Sequence, residues 1–199
     1  MSQPNTPDLL AAISRSARRA SELAQQMLAF ARGGKYQPRP VNLNNAIQQA
    51  LQLQHSAIPD TLVVEQQLAS ELWPVIADAS QMSQVIVNLL TNALEAGDGH
   101  GRIRFSTANL MIDDAWTVEG IHNLRPGRYV SMAVEDEGCG MSAEVLARVF
   151  EPFFTTKFQG RGMGLAAVYG IIQNHGGDIF IKSEAGHGTA ITVYLPVAE

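Results

Sequence analysis

A single cysteine, Cys139, occurs in 199 residues, so no disulfide forms within the chain, and such a composition fits a reducing compartment. No apolar run approaches the roughly 20 residues that span a bilayer. The opening "MSQPNTPD" lacks a basic-then-apolar leader pattern, and a cytoplasmic location is expected. Positive charge is also short: the net charge is −5. That argues against nucleic acid as the main partner, because phosphate-backbone binding usually needs a basic face. It leaves room for a small anion held by a few local donors. There are no internal repeats and no low-complexity tracts. What remains is 46% hydrophobic and 17% charged, enough for one ordinary globular domain with an appended element.

The appended element is residues 1–34. Thr6-Pro7-Asp8 supplies an N-cap, a proline at the first helical position and an acid in the first turn. Gly33-Gly34 ends the helix. Leu10, Ile13, Ala17, Ala20, Ala24, Met27 and Ala31 alternate spacings of three and four, a heptad seam, small along much of its length, that lets a partner helix approach. At 1.5 Å per residue the helix is roughly 40 Å long. Such a seam suits helix–helix pairing; the alternative is a core helix of the following domain. Residues 35–42, with "KYQPRPVN", carry two prolines and no periodicity and are expected to be a linker.

Residues 43–199 mix helices and strands without strict alternation. "LNNAIQQALQLQHSAI" predicts a helix, and "TLVVEQQL" and "LWPVIA" predict strands. Asp78 caps a second helix with Gln81 as its capping-box partner. "GRIRFSTANL" and "GRYVSMAVED" are strands around a polar connection. "SAEVLARVF" is a short helix, "EPFFTTKFQGRG" a loop, "MGLAAVYGIIQNH" a helix, and "GDIFIKS" and "TAITVYLP" a closing strand pair. This predicts an α+β domain, a two-layer α/β sandwich with helices on one face of a sheet, preceded by a long N-terminal helix.

Within the second helix Gln81, Gln84, Asn88, Asn92 and Glu95 recur at spacings of three or four and form one polar stripe. A solvated amphipathic face is the plain alternative. Yet such a face has Lys, Glu or Arg at its disposal, and Asn is a poorer helix former. Asn offers a hard carbonyl oxygen and an amide donor together, a combination suited to Mg²⁺ and phosphate oxygens.

Further along, "VEDEGCGM" ends a strand at Glu135-Asp136 and continues through Gly138 and Gly140. An ordinary glycine turn is one possibility. The other is a carboxylate that accepts from the exocyclic amine of adenine, where guanine would present a second acceptor. An unpaired buried acceptor costs about 1–3 kcal/mol, so one Asp can select ATP over GTP. Cys139 between the glycines is a small filler. "GRGMGLAAVYGII" brings Gly160, Gly162 and Gly164 to a helix start, whose open N–H groups favour an anion. No Gly-Lys-Ser/Thr follows, so this is not a Walker loop. Lys157 and Arg161 are either phosphate-directed charges or plain surface charges. Thr189 either completes the adenine contacts or is an ordinary β-branched strand residue.

In order, "NLLTNALEA", "EDEGCGM", "FEPFFTTK", "GRGMGLAAVYGII" and "GHGTAITVYLP" resemble the ATP-binding catalytic domain of sensor histidine kinases, within the superfamily that includes gyrase, a heat-shock chaperone and mismatch-repair ATPases. The likeness covers roughly residues 41–197, and "LRPGRYVSMAVEDEGCGM" resembles the hybrid or nitrogen-regulator type. It implies the Bergerat ATP-binding fold and the cofactors ATP and Mg²⁺. It implies that Asn92 ligates Mg²⁺, that Asn88 lies near the phosphates, and that Asp136 reads adenine beside Gly138 and Gly140. Phe150 to Lys157 form a phenylalanine-rich box with Lys157 toward the phosphates. Gly160, Arg161, Gly162, Gly164 and Leu165 border the lid and the phosphate-binding helix start, and Thr189 contacts the base. Asn88, Asn92 and Lys157 are the implied catalytic residues.

Residues 1–34 resemble the second helix of the family's dimerisation and phosphoacceptor hairpin. None of His55, His100, His122, His175 and His187 has the acceptor's acidic and proline context, so the acceptor helix is expected to be missing from this chain and all five are expected to be structural or solvated. The implied function is transfer of the γ-phosphoryl group of Mg-ATP to a histidine elsewhere, in two-component signalling. The implied partners are the parent kinase's phosphoacceptor helix, a response-regulator receiver domain, and a second copy paired through the N-terminal helix. Two alternatives stand beside it: a free-standing ATPase switch of the same superfamily, and a non-catalytic pairing scaffold. Where gyrase-type members place a glutamate to activate water this chain has Asn88, which cannot act as that base.

Overall fold

In the computed structural model, residues 37–113, 124–157 and 162–197 are described. The expected helix over 1–34, together with Gly160 and Arg161, lies outside them. The elements run β1 (Arg39–Val41), α1 (Leu43–Leu53), β2 (Leu62–Gln67), β3 (Val75–Ala77), α2 (Ala79–Ala96), β4 (Gly101–Ile112), β5 (Gly127–Asp136), α3 (Ala143–Leu146), α4 (Gly164–Asn174), β6 (Asp178–Ser183) and β7 (Thr189–Pro196).

Five strands form one sheet in the order β2-β4-β5-β7-β6, and β1 pairs with β3 in a separate ribbon. The β2–β4 pair is parallel because α2 lies between the two strands in sequence; the other pairs are antiparallel. Period-two alternation sends Ile103, Phe105, Val130, Met132, Val134, Ile191, Val193 and Leu195 to one face, where they join α1, α2 and α4 in a single core. The expected two-layer sandwich is what forms.

Among the helices, α2 gives that core the most buried residues. Met82, Val85, Ile86, Leu89, Leu90 and Ala93 fall on one stripe and are at most 3% exposed. Each large side chain in it contributes roughly 1.5–3 kcal/mol of burial. The stripe fixes the helix's rotation about its axis, so the polar stripe has to face away from the sheet.

Two local expectations are revised. The linker over 35–42 is in part a strand: Arg39, Pro40 and Val41 pair with Ala77, Ile76 and Val75. Prolines push their predecessors to extended backbone and are tolerated at sheet edges, so the same residues that spoke for a linker permit this strand. The capping box at Asp78 is only half formed. Its carboxylate accepts from the N–H groups of Ser80 (2.9 Å) and Gln81 (3.2 Å). The return bond does not come from Gln81; the Asp78 N–H donates to Nε2 of His175, 3.1 Å away. Nδ1 of His175 faces the Ile171 carbonyl at 2.8 Å, which sets the neutral tautomer with its proton on Nδ1.

Asp78 is 8% exposed. The Ser80 hydroxyl, the Gln37 N–H and the cap amides hold its carboxyl at about 2, below the ordinary 3.8, against the opposing effect of burial. A depressed carboxylate stabilises the fold at pH values above its unfolded pKa and loses that contribution as pH falls through the folded value. We predict that Asp78→Asn lowers stability at pH 7 by on the order of 2 kcal/mol. The gap to the parent chain should close between about pH 4 and pH 2, as read by urea denaturation across that range.

Candidate functional site

The floor of the site is the end of the core face. Asp136 lies two residues beyond Val134 and four beyond Met132, on the same side of β5. Across the sheet Asp136 pairs with Thr189, Thr189 with Ser183, and Val134 with Ile191. The apolar floor thus ends in a polar row. Thr189 is buried, and its hydroxyl meets Ser183 Oγ at 2.9 Å. Ser183 Oγ donates to the Gly188 carbonyl and accepts from the Met141 N–H, both at 2.9 Å. With that proton committed to Gly188, Thr189 is the donor between the two hydroxyls. Burial raises the Asp136 pKa, while N–H bonds from Gly138 and Thr189 and the charge of Lys157 pull it back. The carboxylate is therefore under-solvated and suited to a further donor from a ligand.

The turn after β5 is held by close backbone approach. A Cβ at Gly138 would lie 2.6 Å from the Ala96 carbonyl carbon and oxygen at the end of α2. At Gly140, where φ is +62°, a Cβ would lie 1.9 Å from the Glu184 carbonyl oxygen. Side chains are excluded at both positions.

The second wall is α2. Asn88 Nδ2 donates to the carbonyl of Gly164 at 3.3 Å, tying α2 to the start of α4. Asn92, one turn on, has a buried Nδ2 without a partner among the described residues. A Cβ on Gly164 would stand 3.7 Å from both Asn92 amide atoms, so the glycine keeps the space before that amide open. No side chain caps the N-terminus of α4, which leaves its first N–H groups to a ligand.

The third wall is the aromatic segment. The Phe153 N–H donates to the Gly162 carbonyl at 2.8 Å, Phe150 packs on Tyr169 with centroids 4.9 Å apart, and Arg148 sits 4.3 Å over the Phe154 ring. Lys157 Nζ meets Glu95 Oε2 at 2.5 Å. These walls enclose a cleft of about 390 Å³, a volume in the range of small-molecule sites.

Asn88, Asn92, Asp136, Gly140, Lys157, Gly162, Gly164, Leu165 and Thr189 all line the cleft. Gly138 does not; it serves the approach to Ala96 and donates its N–H to Asp136 Oδ1 at 2.9 Å. Phe154, from the phenylalanine-rich box, also lines it, as do Val134, Met141 and Ile191, which the sequence does not single out. Counting in twos from Asp136 and Thr189 would have found Val134 and Ile191. Ser183 had no local signal, because its place follows from the β6–β7 register.

Residues 77–199 match the family described as histidine kinase-, DNA gyrase B-, and HSP90-like ATPase. The chain belongs to that family. It is 39% identical to the sensor kinase CckA of Brucella abortus (strain 2308) across 98% of this chain and 21% of that protein. It is 32% identical to the signal transduction histidine-protein kinase AtoS of Escherichia coli (strain K12) across 98% of this chain and 30% of that protein. It therefore spans less than a third of either relative's length. The solved catalytic domain of histidine kinase ThkA is 28% identical over 80% of this chain and 95% of that one, with a TM-score of 0.64. Full-length ShkA shares the fold at a TM-score of 0.71 and 22% identity, over 100% of this chain and 40% of that one.

The glycine geometry is open to a direct comparison. Gly140→Ala should destabilise the domain by at least about 3 kcal/mol, combining left-handed strain with backbone overlap. Gly186→Ala, at φ +83° with nothing within 4 Å of its Cβ, should cost only about 1–2 kcal/mol. Chemical denaturation of both variants checks the order.

Proposed function

We propose that this cleft binds Mg-ATP and that the chain donates the γ-phosphoryl group to a histidine on a phosphoacceptor helix supplied from elsewhere, within two-component signalling. The observation that carries this reading is the Asn92 carboxamide, whose Nδ2 has no partner among the described residues, lining one cleft with Gly164 and the under-solvated Asp136. ShkA is solved with AMPPNP, and ThkA in complex with a response regulator protein. A nucleotide and a receiver domain are accordingly the proposed partners here, along with a second copy paired through residues 1–34.

The residues divide the work by position. Asp136 accepts from the adenine amine, and Thr189 stands beside it. Val134 and Ile191 give the ring an apolar floor. The α4 N-terminus and Lys157 receive phosphate charge. Asn92 presents the hard carboxamide oxygen that suits Mg²⁺, which when bound neutralises charge on phosphate oxygens. Among the described residues, no group of three His, Cys, Asp or Glu converges on one point, so the fitting arrangement is one in which Asn92 shares the ion with the phosphates. Asn88 holds the two helices together and has no basic site with which to activate water. That favours transfer to an external acceptor over rapid hydrolysis.

Asn92→Ala should abolish Mg-ATP binding in calorimetry while changing unfolding free energy by less than about 1 kcal/mol. Unchanged affinity would overturn the assignment. Incubated with radiolabelled ATP, the chain by itself should gain no acid-labile phosphohistidine; appearance of that label would contradict the external acceptor.

A further inference from the structure

Among the described residues lining the cleft, the charged side chains are Glu95, Asp136 and Lys157. The one cation is committed to Glu95, with Nζ 2.5 Å from Oε2 and the two side chains 39% and 49% exposed. Glu95 stands three residues after Asn92 and seven after Asn88, on the same face of α2. An ammonium paired with Glu95 has donors to spare, but its charge is already largely offset by the carboxylate. As it moves toward a phosphate, the Glu95 carboxylate is left less neutralised beside it.

We propose that Glu95 is a specificity-determining residue: it parks Lys157 in the nucleotide-free form and makes the cleft reject metal-free triphosphate in favour of the magnesium complex. The inference rests on the nucleotide reading above. Metal-free ATP carries about four negative charges and its magnesium complex about two, and Coulomb repulsion from a fixed carboxylate scales with that charge. The exposed Lys157–Glu95 pair itself contributes little to stability, so it can open without cost to the fold. The influence of Lys157 extends across the cleft, since its charge acts on Asp136 as well. Removing its partner therefore changes what the whole cleft presents to an anion.

The test is displacement of a fluorescent ADP derivative by ATP, at fixed ionic strength, once with excess Mg²⁺ and once with EDTA. The readout is the ratio of the two affinities. Glu95→Gln keeps shape and removes charge; it should tighten metal-free ATP by about tenfold and shrink the ratio accordingly. Glu95→Asp, which keeps the charge, should keep a ratio close to that of the parent chain. A ratio unchanged in Glu95→Gln overturns the proposal, as does metal-free binding that stays undetectable in that variant. If the parent chain binds Mg-ATP while the ratio is unchanged, only the role of Glu95 falls. If neither chain binds nucleotide under either condition, the nucleotide reading falls with it.

Discussion

The hydrogen bond from the Cys139 N–H to the Ala96 carbonyl, 3.0 Å long, sets the separation of the two halves of the site. It joins the last residue of α2 to the turn after β5. One partner carries the amides and the other follows Asp136. The bond exists because Gly138 adds no Cβ to the gap. At the opposite end of α2, Asp78 fastens the helix to the incoming chain through the Gln37 N–H at 3.1 Å, and its own N–H reaches His175 just past the end of α4. A helix anchored at both ends and packed along one face has little freedom left. Asn88 and Asn92 are therefore presented in advance, and binding does not have to order them.

Those anchors also explain how far the sequence could be read. The apolar stripe of α2 and the alternation in β4, β5 and β7 were visible because each obeys one period over eight or more residues. Burial follows from period alone when the opposite face is polar. Asp136 and Thr189 were legible as strand ends beside glycines. That they face each other was not, since this depends on the antiparallel register of two strands more than fifty residues apart. The same holds for Ser183. His175 was legible only as structural or solvated, and its partner was not legible at all. The reciprocal arm of the Asp78 cap lies 97 residues away, and a local motif cannot specify so distant a donor–acceptor pair. Pro38 and Pro40 misled in a physical way: proline forbids a helix and a central strand, but not an edge ribbon of three residues.

Net charge was the least informative quantity. A chain at −5 is repelled on average by an anionic ligand, yet the cleft gathers uncapped helix amides, two carboxamides and one ammonium at short range, beside the carboxylates of Glu95 and Asp136. Screening confines exposed charges to within about 8–10 Å in physiological salt, so the donors inside the cleft outweigh distant surface acids. Much of the remaining charge is neutralised where it stands. On the sheet face opposite the helices, Arg104 bridges Glu65 and Glu135, and Arg102 adds a contact to Glu65.

The arrangement divides recognition between rigid and movable parts. In the proposed reading the base end is fixed by β-sheet register, the Thr189 and Ser183 hydroxyls and a carboxylate whose geometry is locked by the Gly138 N–H. The proposed phosphate end relies on an uncapped helix start and on a lysine held by an exposed ion pair. A rigid base end selects by unmet hydrogen bonds, whose cost does not fade with small movements. A phosphate end built from mobile charge can bind a triphosphate, let its terminal group leave and hold the product less tightly, because each lost charge removes a Coulomb contribution. A donor of phosphoryl groups requires that asymmetry: the part of the ligand that stays unchanged is gripped by fixed geometry, and the part that reacts is held by interactions that weaken as it departs.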